Sequence, residues 1–243
     1  MKIKAFILTV AIIFSAFTLA SCEKKVKDRE YNEQEVIAAA KELIKKSEKL
    51  NEIYYGHGIE CDTSDENNAN GYYYPADILS CEKFGIHTIN ELKAFTRECF
   101  TVTQSDLMIN NTLSPIRDTN GDIIHFARYY QEYNTLDTSE EKCIMVYSEY
   151  EPLLTDKVEY LYDTVRIHDV EGEIITVAID VKVEKVDNGV LQRLQMATTI
   201  YVNLLEESNG FRIDSPTYVK FNTQHERFNS PTYEKKSSNL RIN

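Results

Sequence analysis

Three side chains with oxygen ligands alternate along the chain at Asp118, Asn120 and Asp122, in the spacing that begins a calcium-binding loop. Such a loop also needs a glycine at its sixth position and a bidentate glutamate at its twelfth. This chain has Ile123 and Tyr129 at those two positions. The Asn-Gly step at Asn120 therefore predicts a turn, and no calcium site is predicted.

The other residue types that commonly catalyse reactions are scattered. No two histidines have the i, i+4 spacing of zinc ligands on a helix, and no serine lies in a G-x-S-x-G motif. The five histidines are His57, His87, His125, His168 and His225. The sequence therefore predicts no catalytic residue, no metal site and no cofactor.

Tyrosine is the unusual residue type, because the chain has sixteen tyrosines and no tryptophan. A tyrosine ring offers a large contact area with few rotatable bonds, and its hydroxyl can bond a sugar or a peptide amide. Two tyrosine groups flank one polar loop. The predicted binding residues are Tyr54, Tyr55, His57, Tyr72, Tyr73 and Tyr74. The alternative is that Tyr55 and Tyr73 pack beneath the loop while their neighbours face water.

The first residues have the pattern of an export signal. Lys2 and Lys4 precede an apolar run from Ala5 to Leu19 that is interrupted only by Ser15 and Thr18. The run is shorter than the roughly 20 apolar residues of a permanent membrane helix, and it ends in small residues. We therefore predict a secretory signal peptide that is removed by cleavage.

The residues at the end of that run, Leu19, Ala20, Ser21 and Cys22, resemble the lipobox of bacterial lipoproteins. The resemblance implies that Cys22 is acylated and becomes the first residue of the mature chain. It also implies an extracytoplasmic protein that its lipid anchors to a bacterial membrane, since two or three acyl chains bind a bilayer stably. The alternative is an ordinary signal peptide in which Cys22 has no role.

Four further cysteines, Cys61, Cys81, Cys99 and Cys143, follow in the predicted mature chain. An even number in an exported protein permits disulfides, with three pairings open, and buried thiols are the alternative. No C-x-x-C pair supports a zinc or redox site.

The charge of the chain argues against nucleic acid as a partner. Without its leader the chain has 25 basic and 39 acidic residues, a net charge of −14. Such a surface repels phosphates, so charged partners are expected to be cationic.

Helical patterns fill the first half of the chain. A first helix is predicted after an Asn32 N-cap, followed by a long surface loop over residues 56–74. A second helix opens at Thr88, with Glu91 completing a capping box. A third is expected from about Ser105 to Leu113, before Pro115.

From Gly121 onward the pattern alternates with the period of β-strands. One buried face is predicted along Ile175, Val177, Ile179, Val181 and Val183, and Asn-Gly turns stand at Asn188 and Asn209. Four strands should pair antiparallel in chain order, at about Val158–His168, Ile174–Val186, Val190–Glu206 and Phe211–Tyr218. These elements predict an α+β fold, with N-terminal helices packed on a curved antiparallel sheet.

This order of elements resembles the NTF2-like and cystatin-like folds, in which helices lean into a bent meander around a cone-shaped pocket. The closing run from Asn209 to Asp214 is similar to their last hairpin, although Phe211 stands where tryptophan is more usual. The chain also resembles the secreted inhibitors of cell-wall DL-endopeptidases, which have a Phe-Thr step like Phe100 and Thr101 before the sheet.

The predicted organisation is a signal peptide at 1–21, a charged tether at 22–30, one α+β domain at 31–222 and a polar tail at 223–243. We expect a lipoprotein that binds an envelope protein or glycan, in a narrower version as an inhibitor of a cell-wall hydrolase. The alternative is an NTF2-like enzyme whose pocket is assembled from dispersed residues. An enzyme should bring carboxylate, histidine or tyrosine side chains together in a pocket, whereas a binding protein should expose its tyrosines.

Overall fold

A computed structural model of the chain describes residues 31–66, 69–133, 141–187 and 190–218. The predicted leader with Cys22, the predicted tether, the predicted turn at Asn188 and Gly189 and the predicted polar tail lie outside the described residues. The helices are α1 (Glu33–Tyr55), α2 (Ile78–Phe84), α3 (Ile89–Cys99) and α4 (Val102–Leu113). The strands are β1 (Tyr73–Pro75), β2 (Ile116–Arg117), β3 (Ile123–His125), β4 (Tyr129–Tyr133), β5 (Glu141–Tyr147), β6 (Lys157–Glu171), β7 (Ile174–Asp187), β8 (Val190–Glu207) and β9 (Gly210–Ile213). Helices and antiparallel sheets together confirm the predicted α+β class.

Helix α1 begins where the sequence predicts. The Asn32 side chain accepts hydrogen bonds from the backbone N–H groups of Gln34 (3.1 Å) and Glu35 (3.4 Å), which confirms the N-cap. At 1.5 Å per residue the helix is about 34 Å long. It packs against β6, β9 and α3. The residues on its buried side are Val36, Ala40, Leu43, Ile44, Ser47, Leu50, Asn51, Ile53 and Tyr54.

Helices α3 and α4 also start at side-chain caps. The Thr88 hydroxyl accepts from the Glu91 N–H (3.1 Å), and the Glu91 carboxylate accepts from the Thr88 N–H (3.2 Å), so the predicted capping box is confirmed. Helix α4 begins about one turn earlier than predicted, because the Thr101 hydroxyl caps it by accepting from the Gln104 N–H (3.4 Å).

Helix α2 was not predicted. Asp77 caps it by accepting from the Ser80 N–H (2.7 Å), and Gly85, with φ of 59°, ends it in the left-handed conformation. The helix has only seven residues, and Ile78 and Leu79 are exposed. It therefore lacks the apolar periodicity by which a helix is recognised in a sequence.

The larger sheet has the order β6-β7-β8-β9 and is antiparallel throughout, which confirms the predicted meander. Gly210, with φ of 102°, forms the turn before β9. Strand β9 ends at Ile213 instead of the predicted Tyr218. Beyond it, the Asn203 N–H donates to the Ser215 hydroxyl (2.9 Å) and not to a strand carbonyl.

One face of β7 lies in the core, as predicted. Its inward residues are at most 1% exposed, and they are Ile175, Val177, Ile179, Val181 and Val183. A continuous apolar core joins most of them to residues of the helices and of the smaller sheet, from Val36 to Ile213.

Strand β6 contains an irregularity larger than an ordinary β-bulge. Leu161 pairs with Asp180 and Arg166 pairs with Ala178, so the four residues 162–165 lie opposite Ile179 alone. The Thr164 hydroxyl accepts from the Asp180 N–H (2.9 Å), which satisfies a donor that the bulge leaves without a strand partner. Bulges of this kind bend a strand and increase its twist.

A smaller sheet has the order β1-β5-β4, and β2 and β3 form a short hairpin. Neither was predicted, except for the turn at Asn120. Asp118 forms that turn, because its Oδ1 accepts from the N–H groups of Asn120 (2.8 Å) and Asp122 (2.9 Å).

Cys61, Cys81, Cys99 and Cys143 carry thiols and not disulfides. Burial raises the pKa of the Cys81 thiol to about 11 and that of Cys99 to about 12. Among the described residues, no group of histidine, cysteine, aspartate and glutamate could hold a metal ion. No described helix is long and apolar enough to cross a membrane.

Candidate functional site

The structure separates the six predicted binding residues. Tyr54 is 1% exposed and belongs to the core, where its hydroxyl bonds Thr96 Oγ1 (2.8 Å). The ring of Tyr55 packs between Tyr54 (6.2 Å) and Tyr218 (5.0 Å). Burial raises the pKa of both phenols. Because no partner can reach a core ring, Tyr54 is withdrawn from the predicted binding residues, and Tyr55 is mainly a packing residue.

His57 is exposed at the start of the predicted loop. Its backbone N–H donates to Glu52 Oε1 (3.1 Å), and its carbonyl accepts from the Arg128 guanidinium. These bonds fix the backbone of the loop. Among the described residues, no hydrogen bond or ring contact joins the His57 ring to Tyr72, Tyr73 or Tyr74.

Strand pairing directs Tyr73 and Tyr74 to opposite faces of the smaller sheet. Tyr73 pairs with Tyr147, and Tyr74 pairs with Val146, which is buried. On the same face as Tyr73 and Tyr147 lies Tyr130, which pairs with Met145 in the centre of the sheet. This face therefore collects tyrosines from all three strands.

We call the ring cluster on this face the aromatic surface, and it consists of Tyr72, Tyr73, Phe126, Tyr130 and Tyr147. The Phe126 and Tyr147 rings stack, with centroids 5.0 Å apart and planes at 24°. Tyr73 lies 4.8 Å from Tyr130 and 5.5 Å from Tyr147. Tyr72 contacts Phe126 at 5.9 Å and Tyr147 at 6.3 Å. Each ring therefore touches at least one other ring of the cluster.

Hydrogen bonds hold these rings in place. The Tyr73 hydroxyl donates to the Ala127 carbonyl (2.6 Å), and Asn70 Nδ2 donates to the Tyr130 hydroxyl (3.1 Å). The Tyr72 carbonyl accepts from both the N–H and the hydroxyl of Ser148 (3.0 and 2.9 Å). Burial raises the pKa of Tyr73 to about 12. The cluster is thus pre-organised, which lowers the entropy cost of binding.

Two rings of the aromatic surface remain open to solvent. Tyr72 is 54% exposed and Phe126 is 41% exposed. No described residue bonds the Tyr72 hydroxyl. Next to Phe126, the β2–β3 hairpin also exposes Ile123 and Ile124. Large apolar side chains grouped at a surface are typical of sites that contact another molecule.

Burial also fits the alternative interpretation of the tyrosines in part. Tyr73 is half-buried and Tyr72 is exposed, as that interpretation expects, whereas Tyr74, which it places in water, is half-buried on the opposite face of the sheet. The half-buried ring of Tyr73 packs beside the exposed ring of Phe126 at 6.2 Å.

A second group of polar side chains lies between α1 and β6. The Tyr160 hydroxyl donates to the Thr217 carbonyl (2.8 Å), and Asn51 Nδ2 donates to Thr217 Oγ1 (2.9 Å). Burial raises the pKa of Glu48 to about 7, against the opposing charge of Lys45. Glu48 Oε1 and the Tyr162 hydroxyl are buried without a hydrogen-bond partner among the described residues. A carboxyl group with this pKa can serve as a general acid or base.

The sequence indicated Tyr72 and Tyr73 but not Phe126, Tyr130 and Tyr147. A signal for Tyr147 existed, because the continuous apolar run from Cys143 to Tyr147 is consistent with a buried strand. Glu48 gave no signal, since a glutamate in a charged helix usually faces water.

Comparison of the chain with protein-family models, with curated proteins and with solved structures found no match.

Proposed function

We propose that this protein is an extracytoplasmic lipoprotein that binds a component of the bacterial cell envelope through its aromatic surface. The observation that carries the proposal is the cluster of five touching rings on the outer face of the smaller sheet, with Tyr72 and Phe126 exposed. Exposed aromatic side chains on a rigid support are the usual anchors of binding interfaces.

The place of the aromatic surface in the fold supports this role. The predicted anchor at Cys22 precedes α1, whereas the smaller sheet attaches to the far end of that helix. The Tyr129 hydroxyl donates to the Ile53 carbonyl (2.9 Å), and Arg128 donates to the Gly56 carbonyl (2.8 Å). The smaller sheet therefore contacts the end of α1 that is remote from the predicted tether, and α1 is about 34 Å long.

The anchor is tested by replacing the acylated thiol, in Cys22→Ser. We expect the variant to incorporate no labelled fatty acid and to leave the membrane fraction or keep its leader, since Cys22 is the only acylation site of the lipobox. Label that remains in the variant would refute the anchor.

The binding function is tested by capture of envelope components with the mature chain and with a double variant, Tyr72→Ala with Phe126→Ala. Tyr201→Ala is the matched control, because Tyr201 is 38% exposed on the outer face of the larger sheet. We expect the double variant to lose the captured component and the control to retain it. Equal capture by all three proteins would contradict the proposal.

In a narrower form of the proposal the partner is a cell-wall hydrolase that this protein inhibits. The support is the resemblance at Phe100 and Thr101 to the DL-endopeptidase inhibitors. Added to a digest of peptidoglycan by a DL-endopeptidase, the wild-type protein should slow product release, and the double variant should not.

An enzymatic function is the second candidate, and Glu48 is the observation that favours it. A carboxyl group with a pKa of about 7 beside Tyr160 is a combination found in general acid–base sites. This function would require the activity to be abolished by Glu48→Gln and unaffected by the aromatic double variant. Those two outcomes separate it from binding.

A further inference from the structure

We propose that the partner of the aromatic surface is a basic polypeptide segment, whose lysine or arginine side chains lie over the exposed rings. This inference rests on the proposed binding function and adds the chemistry of the partner. Three observations support it: the charge of the chain segments that build the surface, the exposed rings over which no described cation lies, and one carboxylate at the rim.

Two of the three chain segments that build the surface are acidic and contain no lysine or arginine over long stretches, and the third contains Arg128, which is buried. Between Lys49 and Lys83, the stretch that leads to Tyr72 and Tyr73, the charged residues are Glu52, Glu60, Asp62, Asp65, Glu66, Asp77 and Glu82. Between Lys142 and Lys157, the stretch that contains Tyr147, they are Glu149, Glu151 and Asp156. Such a field attracts cationic partners and raises their rate of association.

Ring faces attract cations, since the face of an aromatic ring is the negative side of its quadrupole. The protein already uses this interaction internally. The Arg128 guanidinium lies 3.8 Å from the centroid of the Tyr150 ring, and Lys49 and Lys83 lie over phenylalanine rings. Among the described residues no cation lies over a ring of the aromatic surface. The exposed parts of Tyr72, and of Phe126 on the side away from the ring of Tyr147, are therefore open to a cation from outside.

A carboxylate stands at the rim of the cluster. The exposed Glu149 accepts a hydrogen bond from the Tyr147 hydroxyl (3.2 Å), and no described cation forms a salt bridge with it. A basic side chain over the Phe126 and Tyr147 rings could thus meet an acceptor for its N–H donors. The acidic rim distinguishes this partner from a neutral glycan, which would use the rings but gain nothing from the carboxylates.

The test uses the full mature chain in nonionic detergent and three peptides of eight residues that alternate serine with lysine, glutamate or asparagine. Affinities are measured by calorimetry at low and high salt for four proteins. These are the wild type, the Tyr72→Ala and Phe126→Ala double variant, Glu149→Gln, and the control Tyr201→Ala. Melting temperatures verify that each variant is folded, and Glu149→Gln alters only an exposed side chain.

We expect the wild type to bind the lysine peptide at least tenfold more tightly than the other two, and salt to weaken that binding. The double variant should lose roughly tenfold or more in affinity although its charge is unchanged, Glu149→Gln should lose several-fold, and Tyr201→Ala should match the wild type. The double variant keeps every charge of the wild type. A loss of its affinity for the lysine peptide would therefore show binding by the rings and not a general attraction to an acidic protein.

Equal binding of the three peptides, or equal affinity of the double variant and the wild type for the lysine peptide, would overturn the inference. If the lysine peptide fails to bind while the double variant still loses capture of an envelope component, the basic partner is wrong and the proposed binding function stands. If the double variant also retains capture, both are wrong.

Discussion

The two sheets of this protein present opposite chemistry on their outer faces. On the larger sheet, ion pairs cross the strands: Arg166 with Asp180 (3.2 Å), Lys182 with Glu159 (3.4 Å) and Lys157 with Glu184 (3.9 Å). The outer face of the smaller sheet carries the aromatic surface instead. The first face pairs its charges with one another and exposes the ring of Tyr201 beside His168, whereas the second exposes a cluster of several rings that gains from contact with another molecule.

This difference shows that strand alternation and surface chemistry are separate properties. Both sheets place apolar, buried residues on their inward faces, among them Ile179 in the larger sheet and Ile144 in the smaller one, so both contribute to the core. Only the outward residues distinguish a face that water covers from a face built for contact. Mutations on the inner faces should therefore act alike, and mutations on the outer faces should act differently.

The largest expected effect is on the inner faces, where the sheets should respond equally. Ile179 of β7 and Ile144 of β5 are each at most 1% exposed. Ile179→Ala and Ile144→Ala should each lower the free energy of unfolding by about 2–4 kcal/mol, through lost burial and a cavity. Denaturant unfolding measures both free energies. A loss of stability in Ile179→Ala but not in Ile144→Ala would mean that the smaller sheet is not part of the common core.

A medium effect is expected at Glu48, beneath the larger sheet. Its pKa is raised by burial from 4.5 to about 7, so the folded state binds the proton more tightly than the unfolded state. The contribution of Glu48 should favour folding most below pH 4.5, decline as the pH rises to about 7, and be constant above it.

Glu48→Gln should remove that decline. Because the side chain is only about half buried, we expect the variant to be more stable than the wild type at pH 8 by on the order of 1 kcal/mol. The measurement is unfolding at pH 4, 6 and 8. Parallel curves for variant and wild type would contradict the assignment.

The smallest effect is expected on the ion-paired outer face. The Thr199 hydroxyl (2.6 Å) and the Arg166 guanidinium (3.2 Å) donate to Asp180 and lower its pKa. The contribution of Asp180 to the free energy of unfolding should therefore be present above its unfolded-state pKa. It should be lost as the pH falls through its folded-state pKa. Asp180→Asn should shift the melting temperature least of these variants, since the pair is exposed. A shift as large as that of Ile179→Ala would mean that this face is not solvated.

The parts of the fold that follow local patterns could be predicted from the sequence. Asn32, the Thr88 capping box and the alternation from Ile175 to Val183 are each specified within one element. The pairing of β1 with β5 could not be predicted, because β1 has three residues and its partner lies about seventy residues later. Length and alternation carry too little signal for such a pair.

The candidate site was predictable only in part for the same reason. The loop tyrosines were visible as a compositional feature, but Phe126, Tyr130 and Tyr147 join them only through strand pairing. Tyr54 could have been assigned to the core, because it continues the apolar helical face of Leu50. A run of tyrosines does not indicate which ring faces inward, whereas helical periodicity does.

The most direct test of the binding function compares the double variant of the aromatic surface with a variant of the larger sheet. Affinity for isolated cell envelopes and melting temperature are measured for the Tyr72→Ala and Phe126→Ala double variant and for Tyr201→Ala. We expect the double variant to lose about 2 kcal/mol of binding free energy, roughly thirtyfold in affinity, with a melting temperature close to that of wild type. Tyr201→Ala should change neither quantity. An unchanged affinity of the double variant, or a large loss of its stability, would contradict the claim that the aromatic surface is a binding site.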